Sequence, residues 1–125
     1  MSKIPQIVND AWNDKEGPIV LTTVDANGVP NAIYATCVRK IDEETIAIAD
    51  NYFEKTKKNI QSGSKGSILF ITSKGKSFQL KGSIEYHKDG PLFNDMKQWN
   101  PAAHPGHAAA ALTVEEGYAG SEKLL

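Results

Sequence analysis

The feature that most constrains this chain is a change in hydrophobic period near residue 18. Before it, Ile4, Ile7, Val8 and Ala11 recur at i, i+3, i+4 and i+7, with Trp12 beside them and Pro5 suited to a first helical position. The polar run Asn13-Asp14-Lys15-Glu16-Gly17-Pro18 then ends in two breakers. From Ile19 onward the chain reads as strands. Ile19 to Val24 is β-branched and apolar, and Asp25-Ala26-Asn27-Gly28 is a tight turn whose Asn-Gly tolerates positive φ. Val29 to Lys40 reads as one second strand, with Pro30 near its start. After the turn Ile41-Asp42-Glu43-Glu44, Thr45 to Ala49 is a third strand. Strands that follow one another without helical crossovers belong to an antiparallel sheet or barrel, not a parallel α/β fold.

The second half keeps to this pattern. Asp50 or Asn51 suits the cap of a short helix over Glu54–Gln61, ended by Gly63. Ser67 to Thr72 and Ser77 to His87 read as strands, and Gly82 inside the latter marks a bulge or a close approach. Asp89-Gly90-Pro91 opens a helix that ends at Asn100-Pro101. Ala108 to Val114 reads as the last strand, with residues 115–125 as its extension or a tail. The reading is mainly β: about six strands and three short helices.

At 125 residues the chain is one domain, 1–125. Fourteen basic and 15 acidic side chains leave a net charge of −1, which argues against a nucleic-acid partner bound through bulk charge. The single cysteine, Cys37, excludes an internal disulfide and a cysteine-based zinc site. No apolar run is long enough to cross a bilayer, and Met1-Ser2-Lys3-Ile4-Pro5 lacks a signal peptide's apolar core. The expectation is a cytoplasmic, reduced domain, small enough to gain from pairing with a second copy.

Four segments carry possible chemistry. Asn51 to Asn59 lies between a strand and a helix, where unpaired N–H groups attract phosphate, and Lys55 and Thr56 add a charge and a hydroxyl. From Lys55 to Lys88 there are eight lysines and one acid, Glu85. The residues alone favour a solvated lysine face over a phosphate site. The strand residues Tyr34, Ala35 and Thr36 offer a ring, space and a hydroxyl to a flat ligand, or simply form a core strand. Gln79 and Lys81 share one strand face, turned to ligand or to water. His104-Pro105-Gly106-His107 has H-x-x-H spacing but no nearby carboxylate or thiol, so no metal site is expected. There is no G-x-G-x-x-G, and Gly75-Lys76-Ser77 fails as a P-loop because Phe70 stands where its first glycine belongs. No nucleophile or general acid–base set is legible, so the catalytic residues are unknown.

The order of the pieces is more specific than any one of them. Thr23-Val24-Asp25 with Gly28-Val29-Pro30, then Lys55-Thr56 with Asn59, then Ser67 to Ile71 and Lys81-Gly82, resembles the pyridoxamine-5′-phosphate-oxidase-like family of FMN-binding split barrels, in its short single-domain form. The resemblance spans roughly residues 15 to 100. It implies a six-stranded antiparallel split β-barrel of Greek-key type, paired as a homodimer with FMN at the subunit interface. It assigns the FMN phosphate to Lys55 and Thr56 and the ring to Tyr34, Ala35 and Thr36. Asn51, Gln79 and Lys81 are further contacts, and Trp99 is a residue that reaches the partner's flavin. Residues 101–107 have no counterpart, and Arg39 is the only arginine, so the basic substrate cluster of true pyridoxamine-phosphate oxidases is missing. The expected function is a flavin oxidoreductase or electron carrier served by a small-molecule donor or acceptor. The alternative is a non-catalytic module of the same fold for a flavin-like, haem or phosphorylated ligand.

Overall fold

The structure is a computed structural model and describes residues 3–125; Met1 and Ser2 lie outside the described residues. Three helices, α1 (Gln6–Asn13), α2 (Lys55–Gln61) and α3 (Gly90–Trp99), accompany eight strands. These are β1 (Ile19–Val24), β2 (Pro30–Ala35), β3 (Val38–Lys40), β4 (Thr45–Asp50), β5 (Lys65–Ile71), β6 (Ser77–His87), β7 (Ala108–Ala119) and β8 (Glu122–Lys123). Seven form one antiparallel path, β2-β1-β5-β6-β7-β4-β3, and the two-residue β8 pairs with β7. The meander β5-β6-β7 with β4 returning beside β7 is a Greek key.

The count is therefore seven strands on the main path where the sequence suggested six. The difference comes from Val29–Lys40. This run leaves the ladder at Thr36 and Cys37 and divides into β2, which pairs with β1, and β3, which pairs with β4. That division fixes the shape. β2 and β3 lie at opposite ends of the path, yet two residues join them. Three peptide units reach ~11 Å at most. Six strand spacings of ~4.8 Å would hold the edges of a flat sheet ~29 Å apart. The ribbon must curl until its ends meet, leaving a seam along β2 that is not closed by hydrogen bonds. This is a split barrel.

The interior is filled. Ile19, Leu21, Ile46, Ile48, Ile68, Leu80 and Leu112 are fully buried, and Phe70 stacks on Phe78 with ring centroids 5.6 Å apart. From α1, Val8, Ala11 and Trp12 plug one end, Trp12 meeting Phe70 edge-on. Ile7 is the exception to the sequence stripe: it is 54% exposed. Pro5 is the N-cap and not the first helical residue. Ala108 to Ala111 are all buried because β7 is covered on both faces, by the barrel interior and by α3. Met96 of α3 sits on Ala49 and Ala109, whose small side chains let the helix approach.

Two glycines set the geometry. Gly28 takes φ +80 in the β1–β2 turn, where the Asp25 carboxylate accepts from the N–H groups of Asn27 (2.8 Å) and Val29 (2.9 Å). Gly82 lies at the one register shift between β6 and β7, and a Cβ there would stand 1.8 Å from the Thr113 carbonyl oxygen. Both sequence readings of Gly82, bulge and close approach, hold.

Candidate functional site

β2 pairs only with β1, so every second N–H and C=O along its other edge is free of the ladder. Three grooves follow one another along this strand and its continuation into β3. The first, about 330 Å³, lies at Pro30 and Asn31 and is walled by Lys55 and Lys58. The second, about 340 Å³, runs from Ile33 to Cys37 against Asn51, Tyr52, Phe53 and His104. The third, about 370 Å³, continues from Thr36 to Arg39 and is closed by Trp99, Pro101 and His104. From Asn31 to Thr36 the strand covers ~17 Å. The arrangement suits an elongated ligand with an anionic tail and a flat head.

The tail end is cationic. Lys55 begins α2, and neither Lys55 nor Lys58 forms an ion pair among the described residues. Asp25 also lines this groove, but its carboxylate is turned onto its own turn's N–H groups. Neither Asp50 nor Asn51 caps α2: the N-cap is Glu54, which makes no side-chain capping bond. Asp50 instead accepts the Phe53 N–H (2.9 Å) and the Tyr86 hydroxyl, which shapes the turn into the helix. Burial, then the Asp50 carboxylate, push the Tyr86 phenol above its ordinary value of 10.0. Thr56 is not in the groove lining. It is buried beneath, at 1% exposure, with its oxygen accepting from Asn31 Nδ2 at 3.1 Å. Asn59, also buried, donates to Thr23 Oγ1 at 3.0 Å. These two bonds dock α2 on the β1–β2 hairpin and so fix Lys55 above it.

The middle groove brings together Tyr34, Ala35, Thr36 and Asn51. Asn51 proves to be a strut. Its Oδ1 accepts from Asn100 Nδ2 (2.9 Å) and the Gly106 N–H (3.0 Å), and its Nδ2 donates to Asn100 Oδ1 (3.0 Å). Lys97 Nζ adds bonds to the carbonyls of Pro105 and Gly106. Residues 101–107, which matched nothing in the sequence reading, are thereby strapped to α3 and the end of β4. They carry His104, whose Nδ1 lies 3.1 Å from Tyr52 Oη. Tyr52 and His104 are polar lining residues that the sequence reading did not name as contacts. The only signal was a histidine in a Pro/Gly loop, and nothing local says that the loop folds back on the strand end. Trp99 borders the third groove, its Nε1 donating to Asp95 Oδ2 at 3.1 Å. His104 and His107 form no metal cluster, and none is found among the described residues.

Gln79 and Lys81 are not brought to these grooves. They line a separate one, about 340 Å³, on the outer face of β1, β5 and β6, with Thr22, Ser67 and Glu116. That face also exposes several apolar side chains. Register places Tyr34 beside Val20, Val20 beside Leu69, and Leu69 beside Gln79 in one row across four strands. Val24, Leu69 and Ile71 are 43%, 42% and 47% exposed, and Tyr34 is 78% exposed.

A curled antiparallel barrel with a filled interior and grooves along its seam defines a split-barrel class. The pyridoxamine 5′-phosphate oxidase family model matches residues 8–119, and the chain belongs to that family. It is 30% identical over 89 residues to an uncharacterized protein of Methanocaldococcus jannaschii, covering 70% of this chain. The match spans 60% of that relative's length. Among solved structures, Group A Streptococcus HupZ superposes with a TM-score of 0.83 at 25% identity, covering 98% of each chain. An FMN-binding protein from Syntrophomonas wolfei has a TM-score of 0.74 at 20% identity, covering 98% of this chain and 86% of its own. No helix of the described residues is long and apolar enough to cross a membrane.

Proposed function

We propose that this chain binds FMN along β2 and works, as a homodimer, as a flavin-dependent oxidoreductase or electron carrier. The observation that carries this reading is the order of the grooves on one strand: an unpaired lysine pair at Asn31, then a flat, half-apolar slot from Ile33 to Thr36. The donor set fits the cofactor. Lys55 and Lys58 meet a dianionic phosphate, and the free edge of β2 and the Thr36 hydroxyl offer donors and acceptors to the rim of the ring. Family membership supports the reading, and so does the shared fold of an FMN-binding protein. FMN would supply hydride or electron transfer. The chain's own part is to hold the phosphate, orient the ring and keep one ring face against Ala35 and Phe53.

The homodimer gives the outer sheet face a role. A second copy covers Tyr34, Val24, Leu69 and Ile71, and brings its Gln79 and Lys81 to the edge of the first copy's ring slot. Titration of the purified protein with FMN, followed by visible absorption, tests the cofactor. Saturable binding in the micromolar range is expected, and its absence overturns the reading. Reduction of the bound flavin by NADH or NADPH then separates an oxidoreductase from a module that only carries the cofactor.

A further inference from the structure

The third groove has a chemistry of its own. One carboxylate organises it: Asp95 Oδ1 accepts from Arg39 Nη1 at 3.3 Å, and Asp95 Oδ2 accepts from Trp99 Nε1 at 3.1 Å. The indole N–H is thus satisfied, and what Trp99 offers a ligand is the apolar surface of its ring. Arg39 is the chain's only guanidinium, and its side chain is 53% exposed. Asp95 takes one of its five N–H donors, through an exposed pair too weak to exclude a better-placed anion. His104 lines both this groove and the ring slot, its Nδ1 3.1 Å from Tyr52 Oη. Thr36, Cys37 and His104 line both grooves, so the two adjoin.

We infer that this groove binds a second ligand, a small planar aromatic acid whose ring lies on Trp99 and whose carboxylate is held by Arg39. A guanidinium and an indole face lining one groove match an anion carried on a planar ring better than a neutral ring, because the fork pairs with two coplanar carboxylate oxygens while the ring lies on the indole. The ligand's place beside the flavin rests on the cofactor reading above; the site itself does not.

Benzoate is the probe, with benzamide as its neutral counterpart. The chain has two tryptophans, and Trp12 is buried against Phe70, so Trp99 fluorescence reports the groove; Trp99→Phe confirms the source of the signal. Titrations are run on the protein with and without FMN. Saturable binding of benzoate at millimolar concentration is expected, weakened about tenfold or more in Arg39→Gln and for benzamide. Arg39→Lys is expected to lose much of the same affinity while keeping the charge, since it lacks the fork. Absence of saturation, or equal affinity in Arg39→Gln, overturns the site. If benzoate binds but leaves the visible spectrum of bound FMN unchanged, its placement beside the flavin is overturned. If FMN fails to bind at all, the cofactor reading falls, and the benzoate titration of the flavin-free protein still decides the site.

Discussion

Single residues carry sharply different burdens here, and the contrast between two glycines shows it. A Cβ at Gly75 would meet nothing within 4 Å, but φ is +80 there, so Gly75→Ala is expected to cost about 1–2 kcal/mol through backbone strain alone. Gly82 has room for neither a methyl nor a shift, because the obstacle is the Thr113 carbonyl of the neighbouring strand at 1.8 Å. Gly82→Ala is expected to cost about 3 kcal/mol or more and to open the β6–β7 bulge, read as a lower urea midpoint with the Gly75→Ala protein as control. Lys55 is the opposite case, exposed and without an ion pair among the described residues. Its replacement by alanine should leave the urea midpoint unchanged and weaken FMN binding by about 1.5–3 kcal/mol, the size of a charge-assisted hydrogen bond. Unchanged FMN affinity would mean that the phosphate lies elsewhere. Tyr86 makes stability depend on pH. Its pKa is raised in the folded protein, so the folded state holds the proton more tightly than the unfolded chain does. That contribution is present below the ordinary value of 10.0 and declines as the pH rises above it. Urea midpoints of the wild type should fall across this alkaline range, and Tyr86→Phe should flatten the slope while starting from a lower midpoint.

Elements with a strong period were legible in the sequence, and those defined by partners were not. β1, β6 and α3 fall within a residue of their expected bounds because alternation, β-branching and the Gly-Pro start are local signals. The division of Val29–Lys40 into β2 and β3 has no local signal: it occurs where the two ends of the curled sheet meet, a fact about partners far away in sequence. The same holds for the site. Tyr34, Ala35 and Thr36 were found together with Asn51, but the burial of Thr56 and the use of the Asn51 amide depend on Asn31, Asn100 and Gly106. The strap over residues 101–107 can be tested as an element. Asn51→Ala leaves the Gly106 N–H and the Asn100 amide unsatisfied, and should cost about 2–4 kcal/mol. Hydrogen exchange at the Gly106 N–H should quicken well beyond that of the β6 amides, whereas uniform quickening would mean that the strap and the barrel open as one unit.

At the scale of the molecule, the question is what covers the outer face of β2, β1, β5 and β6. The barrel interior is already filled, so the row from Tyr34 through Val20 and Leu69 to Gln79 adds nothing to the core of one chain. Lone exposed apolar side chains are ordinary, but several on one sheet face mark an interface. Two copies related by a twofold axis place the same patch against itself. Near the middle of the row, Leu69 is 42% exposed. Leu69→Lys therefore adds two facing charges to a dimer and one solvated charge to a monomer, so the fold should survive and the pairing should not. Sedimentation equilibrium is expected to give twice 13.6 kDa for the wild type and 13.6 kDa for Leu69→Lys. If the flavin site uses the partner's Gln79 and Lys81, the monomeric variant should also bind FMN more weakly, by about tenfold or more, with Lys55 intact. A monomeric wild type would overturn the pairing itself, and a Leu69→Lys protein that still pairs would place the interface elsewhere. A monomeric variant with full FMN affinity would confine the cofactor to the grooves of a single chain, leaving Lys81 to its contact with the Tyr118 ring.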